Sequence, residues 1–395
     1  MQKKLRTGIV LSAPPGYSET FFRSKITGLQ KAGHEVILFV GRRSQEAQPC
    51  RVVSAWPVYR WRLWQSALMA LRLLFVFCRA PLRTRRFYYL ERQSGRGFKQ
   101  VIENLYLNSH ILPIHLDWLH FGFATMALRR ENVAQAMGAK MAVSLRGYDI
   151  AIYPLKHPDC YNLLWQKVDK VHTISTDLQI LAYQQGLSHN KTTVKITPAI
   201  DTQQFQRNTP LADTRNKPLR LLTVARLNWK KGIEYTLEAL ALLKKQGIDF
   251  QYTVIGDGEE YERLVFAALQ FGIREQVHFA GKMPHEEVKA AMEQSDIYLQ
   301  YSISEGFCNA VLEAQAMGLL CIVSDAEGLP ENVLHGETGW VAPRRHPELL
   351  AAQIEEVMQL PPEHHQTIRQ RAIQRVREEF NIEKQIEAFL QFYSS

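Results

Sequence analysis

The fold of this chain is decided most clearly by residues 219–258, which read LRLLTVARLNWKKGIEYTLEALALLKKQGIDFQYTVIGDG. Leu219 to Val224 is a short apolar run that predicts a buried strand. Glu234 to Lys245 has the periodicity of a helix, and Phe250 to Ile255 predicts a second strand before the turn at Gly256-Asp257-Gly258. A strand, a helix and a strand of these lengths are typical of the parallel crossover unit of an α/β sheet.

Similar alternation runs along the rest of the chain and is interrupted once, by a polar stretch near residues 201–218. Two successive α/β sets of similar size predict an α/β protein with two doubly wound Rossmann-like domains that face each other across a ligand-binding cleft. The predicted parts are an N-terminal domain at 1–205, a linker at 206–218, a C-terminal domain at 219–378, and a closing helix at 379–395 that packs back on the N-terminal domain.

Composition and cysteine usage exclude several classes of protein. Hydrophobic residues make up 46% of the 395 residues, which is enough to bury two cores and speaks against disorder. The apolar run after Arg6 is too short for a signal-peptide core, so we expect a cytoplasmic protein.

No cysteine pair has the Cys-x-x-Cys spacing of a zinc site, and an odd number of cysteines is typical of reduced thiols. The five cysteines are Cys50, Cys78, Cys160, Cys308 and Cys321.

Two glutamates at one predicted strand-to-helix junction are the strongest chemical signal. Glu305 and Glu313 enclose the stretch EGFCNAVLE, with the first on a glycine-containing loop and the second on a helix. Carboxylates placed in this way can accept hydrogen bonds from sugar hydroxyls, and the helix N-terminus can face an anion. The alternative is a pair of solvated glutamates that flank an ordinary helix.

A basic pair follows an earlier strand of the same predicted domain. Arg226 and Lys231 lie in the sequence VARLNWKKG, after a strand and before a helix. The Arg side chain offers a planar fork to phosphate oxygens, and the Lys side chain offers a point charge. A solvated turn is the alternative. Together with the two glutamates, this pair predicts a site for a sugar nucleotide, in which the bases meet the diphosphate and the acids meet the sugar.

From Leu219 to Pro343 the chain resembles family 4 of the retaining glycosyltransferases, which have the GT-B fold. The combination of motifs in this order is far more specific than a lone Gly-x-Gly. The matching elements are Val224-Ala225-Arg226-Leu227 with Lys231-Gly232, Ile255-Gly256-Asp257-Gly258, Phe279-Ala280-Gly281, Glu305-Gly306-Phe307 with Glu313-Ala314 and Met317-Gly318, and Gly328, Glu331, Gly336 and Gly339.

The N-terminal half matches more loosely and is similar to the subgroup that builds colanic acid and other bacterial exopolysaccharides. One departure concerns a motif that usually reads His-Gly-x-Asp, because Arg146 stands in place of the His. The stretches that carry this similarity are Ser18-Glu19-Thr20-Phe21, Gly28-Leu29, Gly33-His34-Glu35-Val36, His120-Phe121-Gly122 and Arg146-Gly147-Tyr148-Asp149.

The resemblance implies a role for each matching residue. Arg226 and Lys231 would hold the donor diphosphate and stabilise the departing charge, and Glu305 would bind hydroxyls of the transferred sugar, which makes all three catalytic candidates. His120 is a further catalytic candidate near the anomeric carbon, with a packed strand-end histidine as the alternative. Other donor-binding candidates are Gly16, Gly256, Gly281, Lys282, Met283, Gly306, Phe307, Cys308, Asn309 and, for the ribose hydroxyls, Glu313. Acceptor-side candidates are Ser18, Glu19, Arg146 and Asp149.

The resemblance further implies retention of anomeric configuration, through a front-face displacement in which the departing phosphate accepts the proton of the acceptor hydroxyl. No Asp-x-Asp motif lies near the donor residues, so we predict no metal and no other cofactor. The expected partners are a UDP- or GDP-sugar and a growing lipid-linked saccharide of a cell-surface polysaccharide or lipopolysaccharide. Nucleic acid is not an expected partner, because the chain has no RNA-binding or helix-turn-helix signature.

The positive charge is concentrated in one segment. Residues 60–99 contain ten basic residues and one acid, Glu91, and this surplus equals the net charge of +9 for the whole chain. The apolar run at 67–78 is shorter than the roughly 20 residues that cross a bilayer. A basic amphipathic helix of this kind predicts peripheral docking to the anionic inner face of the plasma membrane, with a core-packing helix as the alternative. The candidate contacts are Arg72, Arg79, Arg83, Arg85 and Arg86.

Two other functions remain open at the level of sequence. A non-catalytic scaffold could keep this fold, although the intact basic pair and glutamate pair favour an enzyme. A sugar-nucleotide epimerase could share the fold, although that class lacks two glutamates with seven residues between them in this setting.

Overall fold

The chain folds into two compact α/β units. Unit 1 comprises Met1–Ile196 and Gln385–Ser395, and unit 2 comprises Thr197–Lys384. In both units every strand pairing is parallel, as expected from a chain in which apolar strands and helices alternate. The residues that this computed structural model describes are 4–16, 20–41, 48–57, 62–207 and 218–394.

Unit 1 is built on a seven-stranded sheet. Its strands are β1 (Arg6–Leu11), β2 (Glu35–Val40), β3 (Arg51–Ser54), β4 (Trp118–Phe121), β5 (Lys140–Leu145), β6 (Lys170–Thr173) and β7 (Thr192–Lys195). Their order is β3-β2-β1-β4-β5-β6-β7, so the direction of winding reverses between β1 and β4. The carboxyl ends of these two strands form the switch point where such sheets bind ligands.

The helices of unit 1 connect these strands and cover the sheet. A π-helical turn at Tyr148–Ile152 follows β5. The helices are α1 (Thr20–Lys31), α2 (Arg62–Arg79), α3 (Pro81–Gln93), α4 (Phe98–Asn108), α5 (Ala124–Ala127), α6 (Val133–Met137), α7 (Tyr153–Lys156), α8 (Asn162–Lys167) and α9 (Thr176–Gln184).

Unit 2 is built on a six-stranded sheet. Its strands are β8 (Leu219–Val224), β9 (Phe250–Ile255), β10 (Val277–Gly281), β11 (Ile297–Gln300), β12 (Leu320–Ser324) and β13 (Trp340–Ala342). The order β10-β9-β8-β11-β12-β13 places the switch point between β8 and β11. The helices are α10 (Ile233–Lys245), α11 (Tyr261–Gln270), α12 (His285–Gln294), α13 (Asn309–Ala316), α14 (Leu329–Asn332), α15 (Pro347–Gln359) and α16 (Pro362–Glu379), with a 3-10 helix at Trp229–Lys231.

The last helix, α17 (Ile382–Ser394), contributes to the core of unit 1. Phe389, Phe392 and Tyr393 are buried there among strand residues such as Trp118. The indole N–H of Trp118 donates to the Tyr393 carbonyl at 3.0 Å, and Lys170 donates to the Phe392 carbonyl at 2.7 Å. These bonds satisfy two of the carbonyls that a helix leaves without partners at its C-terminal end.

The division between the units differs from the predicted boundary after residue 205. Residues 197–207 belong to unit 2. Phe205 is buried, and Arg207 donates hydrogen bonds to residues of that unit. The Arg207 guanidinium donates to the carbonyls of Met317 at 3.0 Å and Glu293 at 2.8 Å. Most of the predicted linker, at 208–217, lies outside the described residues.

The basic segment contains the helix that its pattern predicts, observed as α2. In the described part of the chain, no single helix has both the length and the apolar character needed to cross a membrane. Taken together, the helices Gln65–Arg79 and Pro81–Gln93 have that length and apolar character by composition alone, but the chain bends by 116° between them.

All five cysteines are free thiols.

Candidate active site

The two charged clusters of unit 2 lie at the same edge of its sheet. Arg226 and Lys231 follow β8, and Glu305 follows β11. These two strands are hydrogen-bonded neighbours in parallel orientation, with Ile297 opposite Leu221. Because parallel strands end at a common edge, both loops emerge beside the switch point of the sheet.

Lys231 and Glu305 form a direct ion pair across this edge. Their side chains are only 17% and 15% exposed, so water screens the pair weakly. Burial opposes the charge of Lys231, but the adjacent Glu305 carboxylate outweighs it and raises the pKa of Lys231 above its ordinary value. Lys231 therefore stays protonated and places a fixed positive charge at the switch point.

Backbone contacts fix the loop that carries Lys231. The side chain of Asn228 accepts from the Lys230 N–H at 3.0 Å and starts the 3-10 helix. The Lys230 carbonyl then accepts from the Ile303 N–H at 2.6 Å, which ties this loop to the one after β11. Gly232 has φ +60°, and a Cβ there would lie 2.2 Å from the Tyr301 carbonyl oxygen, so only glycine allows this approach.

Arg226 adds a second, exposed cation beside the pair. Its side chain makes no hydrogen bond to any residue that the structure describes. Lys230 lies nearby, and burial, together with the charges of Lys231 and Arg226, lowers the pKa of Lys230 despite the opposing carboxylates. The edge thus presents a cluster of cations, as a diphosphate site requires.

The second glutamate, Glu313, lies on α13 without a partner among the described residues. It is partly buried, and burial raises the pKa of its carboxyl group to about 7. A poorly solvated carboxyl group of this kind can accept hydrogen bonds from the hydroxyl groups of a ligand.

The residues between the two glutamates are packed rather than solvated. Phe307 is buried with its ring centroid 5.6 Å from that of Phe380. Cys308 exchanges two 3.0 Å hydrogen bonds with the amide of Asn332, and burial raises the pKa of its thiol to about 12. Gly306 is buried, and Asn309 is the first, partly buried residue of α13. The thiol is therefore neutral, and the main chain at the start of α13 is held rigidly.

Four of the donor-binding candidates lie at or just beyond the ends of the neighbouring strands of the same sheet: Gly256, Gly281, Lys282 and Met283. Gly256 follows β9 with φ +142°, and a Cβ there would lie 1.8 Å from the Ala225 carbonyl oxygen. Its N–H donates to the Gly281 carbonyl at 2.8 Å, at the end of β10. Lys282 is exposed and Met283 is partly buried just beyond this strand.

Sequence reasoning missed one acidic side chain of this site, Glu327. Its carboxylate accepts from the Glu305 N–H at 2.6 Å and from Arg344 at 3.1 Å. Glu327 has φ +25°, an uncommon backbone angle for a residue with a side chain. In the sequence, only its position next to Gly328 could have indicated this role, because the resemblance in that motif rests on the glycines and Glu331.

In unit 1, His120 is completely buried within a chain of hydrogen bonds. His172 Nε2 lies 2.9 Å from the Ile196 carbonyl, which can only accept, so this nitrogen carries a proton. Burial lowers the pKa of both His120 and His172, so both rings are neutral. Ser144 then donates to His172 Nδ1 at 2.7 Å and accepts from His120 Nε2 at 2.8 Å.

Because the neutral His120 ring carries its proton on Nε2, its Nδ1 atom can only accept a hydrogen bond. The Tyr393 hydroxyl lies 2.5 Å from it and Lys25 Nζ 3.3 Å from it. Burial and then the nearby charge of Arg146 lower the pKa of Lys25. With both ring nitrogens engaged inside the unit, these observations favour the packed-histidine alternative over contact with a sugar.

Two of the acceptor-side candidates, Arg146 and Asp149, have roles within the fold of unit 1. The Arg146 guanidinium lies 4.0 Å from the ring centroid of Phe21 and donates to the Gly122 carbonyl at 3.2 Å. Asp149 is buried and accepts from the N–H groups of Ala124 and Arg146, at 2.9 and 3.0 Å. Gly16 lies in the loop after β1. Ser18 and Glu19 lie outside the described residues.

The predicted membrane contacts separate into two groups. Arg72 lies against the Trp56 ring at 2.9 Å from its centroid, and Arg83 donates to the carbonyls of Leu112 and Ile114. These two cations are therefore engaged within unit 1. Arg79, Arg85 and Arg86 are exposed.

Comparison with solved structures supports the fold class that the two sheets define. A glycosyltransferase from Rickettsia africae superposes with a TM-score of 0.71 at 15% identity, covering 99% of this chain and 98% of that one. Anabaena HepE, solved with UDP and glucose, superposes with a TM-score of 0.73 at 16% identity, covering 99% of each chain. The predicted fold class, two Rossmann-like α/β domains as in GT-B glycosyltransferases, is confirmed.

Sequence relatives identify the family. Residues 205–375 match the model for glycosyl transferases group 1. The amylovoran biosynthesis glycosyltransferase AmsK of Erwinia amylovora is 31% identical over 278 residues, which are 68% of each chain. The putative colanic acid biosynthesis glycosyltransferase WcaL of Salmonella typhimurium is 26% identical over 95% of this chain and 97% of the relative. The chain belongs to the group 1 glycosyltransferases and is therefore an enzyme of the transferase class.

Proposed function

We propose that this enzyme is a retaining glycosyltransferase of family 4 that moves a sugar from a UDP- or GDP-sugar to a growing lipid-linked saccharide of a cell-surface polysaccharide or lipopolysaccharide. The observation that carries this proposal is the Lys231–Glu305 pair, together with the carboxyl group of Glu313 on α13, which has no hydrogen-bond partner among the described residues. The roles of the AmsK and WcaL relatives in amylovoran and colanic acid biosynthesis support an extracellular polysaccharide as the product.

The cations of the site fit the donor diphosphate. Lys231 is held protonated by Glu305, and Arg226 stands free of side-chain hydrogen bonds within the described part of the chain. A diphosphate that arrives here gains charge-assisted hydrogen bonds and shares the Lys231 charge with Glu305. The main-chain N–H groups at the start of α13 add donors that no side chain caps.

The two carboxyl groups fit the polyol parts of the donor. Glu305 on its loop accepts from hydroxyls of the transferred sugar, while Glu313 on α13 accepts from the ribose hydroxyls. The positive charge of Lys231 offsets the negative charge of the Glu305 carboxylate.

The reaction proceeds on one face of the donor sugar. The bond between the anomeric carbon and the phosphate oxygen breaks, and the acceptor oxygen bonds to the same face of that carbon. The acceptor proton passes to the departing phosphate oxygen, whose developing charge Lys231 and Arg226 stabilise. These two cations supply the electrostatic stabilisation of the leaving group, so no metal or other cofactor takes part in the proposal.

The acceptor and the cellular location complete the proposal. A lipid-linked saccharide lies at the cytoplasmic face of the plasma membrane, so the enzyme acts as a cytoplasmic, peripheral protein at that face. The exposed cations Arg79, Arg85 and Arg86 of unit 1 suit an anionic leaflet.

Nucleotide binding tests the donor half of this proposal. We expect one of UDP, GDP, ADP and CDP to raise the unfolding temperature and to give a calorimetric binding signal, because a ligand of the folded state stabilises it by mass action. Arg226→Ala/Lys231→Ala should weaken that binding by about tenfold or more, since each lost charge-assisted bond matters at a poorly solvated site. The matched control, Lys245→Ala/Arg371→Ala, removes two exposed cations of unit 2 elsewhere and should bind as the wild type does.

Three results would count against the enzyme as proposed. Binding of no nucleotide in any condition, with or without a saccharide acceptor, favours the scaffold alternative. A product whose anomeric proton shows inversion by NMR contradicts the front-face step. Conversion of the nucleotide sugar itself to an epimer, with no acceptor present, supports the epimerase alternative.

A further inference from the structure

Helix α2 of unit 1 turns a large apolar side toward solvent. Its sequence from Ala67 to Cys78 is apolar except for Arg72. Helices that are apolar on nearly every side are normally buried in a core or in a membrane. Here Val76 is buried, whereas Leu71 and Leu74 are 65% and 62% exposed. The apolar patch consists of Leu71, Leu74, Phe75, Phe77 and, in the first turn of α3, Leu82.

The one charged residue between Ala67 and Cys78 is turned toward unit 1, whereas Arg79 at the end of α2 is exposed. Arg72 is partly buried with its guanidinium against the Trp56 ring, on the side of the helix that carries Val76. A surface helix of a soluble domain places its cations in water and its leucines inside. The reversed arrangement indicates that the outer side of α2 meets an apolar phase.

The patch is presented by a fixed support. Glu91 of α3 is fully buried and accepts from Arg96 at 2.5 Å, from Asn104 at 2.6 Å and from Asn132 at 2.8 Å. These bonds join α3 to α4 and to the start of α6. Arg83 adds bonds to the carbonyls of Leu112 and Ile114, at 3.2 and 2.9 Å. The bend between α2 and α3 is therefore an anchored part of unit 1.

Neither of the two helices that form the bend carries an exposed acid among its described residues. No Asp or Glu occurs in the sequence between Glu46 and Glu91, and Glu91 itself is buried. Exposed cations flank the patch at Arg79, at the end of α2, and at Arg85 and Arg86, on α3. Exposed leucines and phenylalanines beside arginines match the boundary between the acyl chains and the anionic headgroups of a bilayer.

We propose that the apolar patch of the α2–α3 bend inserts into the surface of an anionic bilayer, with Arg79, Arg85 and Arg86 at the level of the lipid phosphates. Insertion is the main source of affinity, and the arginines select anionic lipid. Arg72 and Arg83 are not lipid contacts, because both are engaged within unit 1. The inference rests on the peripheral membrane location proposed above; the patch belongs to unit 1 and the donor residues to unit 2, so vesicle binding and nucleotide binding can fail independently.

A second copy of this chain is a poorer occupant of the same surface. In a two-fold contact each patch would meet its own counterpart, and each group of arginines would lie close to the same arginines of the other copy. No acidic side chain between Glu46 and Glu91 is available at the surface to offset that repulsion. An anionic lipid surface offers the apolar phase and the negative charge together.

Cosedimentation of the full chain with vesicles tests the proposal. The vesicles contain phosphatidylcholine alone or phosphatidylcholine with phosphatidylglycerol. Leu71→Gln/Leu74→Gln removes two members of the patch without removing helix propensity. Its matched control is Phe266→Gln/Leu269→Gln on α11, where the two side chains are 60% and 59% exposed. Arg85→Gln/Arg86→Gln tests the charge, with Lys245→Gln/Arg371→Gln as its control.

We expect the wild type to sediment with the anionic vesicles and Leu71→Gln/Leu74→Gln to bind them about tenfold or more weakly, while both controls match the wild type. Arg85→Gln/Arg86→Gln should lose the preference for phosphatidylglycerol. All variants should keep the circular dichroism spectrum and the nucleotide affinity of the wild type. Equal vesicle binding by the wild type and Leu71→Gln/Leu74→Gln, or no binding by either, overturns the proposal. A decrease in oligomer mass caused by that variant in the absence of vesicles assigns the patch to self-association instead.

Discussion

The main-chain N–H of Glu305 donates a hydrogen bond to the carboxylate of Glu327 over 2.6 Å. Arg344 holds the other carboxylate oxygen at 3.1 Å and also donates to the Ile303 carbonyl at 2.9 Å. Glu327 and Arg344 therefore fix the loop that places Glu305 opposite Lys231. Glu327 is a positioning residue, because its carboxylate contacts the backbone of that loop.

We expect Glu327→Gln to lower kcat by about tenfold, since a loop displaced by a fraction of an ångström misplaces Glu305. The affinity for the nucleotide should change little, because the cations after β8 remain in place. Steady-state kinetics and calorimetry separate the two effects. The control is Glu337→Gln, which changes an exposed acid of the same unit and should leave kcat unaltered. Identical kinetics for the two variants would remove the positioning role.

The carboxyl group of Glu313 predicts a pH dependence of donor affinity. Burial raises its pKa to about 7, so the carboxylate form, to which the proposal assigns the ribose hydroxyls, becomes dominant only above that pH. Affinity for the nucleotide sugar should therefore rise by about tenfold between pH 6 and pH 8, following the ionised fraction. Glu313→Gln should bind weakly and show a flat profile in the same calorimetric titration. A slope that persists in this variant would assign the titration to another group.

The Lys231–Glu305 pair predicts a strong energetic coupling. Lys231→Met leaves the Glu305 carboxylate, 15% exposed, without its counter-charge, and should destabilise unit 2 by about 1–3 kcal/mol. Lys231→Met/Glu305→Gln should cost less than the sum of the single changes. The exposed pair of Arg263 and Glu234 is the control, with a coupling below about 0.5 kcal/mol. Urea unfolding, fitted with one transition per unit, measures both cycles. Equal coupling in the two pairs would contradict the prediction.

Helix α17 predicts that the last residues stabilise the first half of the chain. Phe389→Ala should destabilise unit 1 by about 3–5 kcal/mol, because the ring is buried in its core. Tyr393→Phe removes only the hydroxyl that contacts His120 and should cost about 1 kcal/mol. Glu387→Ala, at an exposed position of the same helix, should change stability by less than about 0.5 kcal/mol. Destabilisation of unit 2 alone by Phe389→Ala would refute this assignment.

Removal of divalent cations should leave the activity unchanged. The proposed leaving-group stabilisation comes from Arg226 and Lys231, whose charges do not depend on a metal. The measurement is the initial rate of sugar transfer with and without EDTA, after dialysis against the chelator. Loss of activity that Mg²⁺ or Mn²⁺ restores would establish a metal requirement.

Local patterns in the sequence were sufficient for the strands, the helices and the main charged residues. The alternation from Leu219 to Ile255 predicts β8, α10 and β9 because each element carries its own period of apolar residues. Arg226, Lys231 and Glu305 could be grouped because parallel strands end at one edge of a sheet. These inferences need only neighbours in the chain and a general rule of topology.

The remaining features depend on contacts between residues that are distant in sequence. The burial of His120 follows from the packing of Tyr393, 273 positions away, which no local pattern reveals. A spacing of seven residues puts Arg72 and Arg79 on the same side of a helix, but it does not reveal which of the two is packed against another element. Arg72 is packed against Trp56, whereas Arg79 is exposed. Glu327 was missed because its role arises from a backbone turn and from Arg344.

The contribution of α17 to unit 1 has a consequence for biosynthesis. Domains generally fold as units, and the N-terminal one usually folds first while the ribosome is still working. Here Phe389, Phe392 and Tyr393 complete the core of unit 1, whereas unit 2 is one continuous segment that ends at Lys384. Unit 1, most of which is translated before unit 2, therefore lacks part of its core until α17 has been translated, and until then it presents an incomplete core to the chaperones around the ribosome.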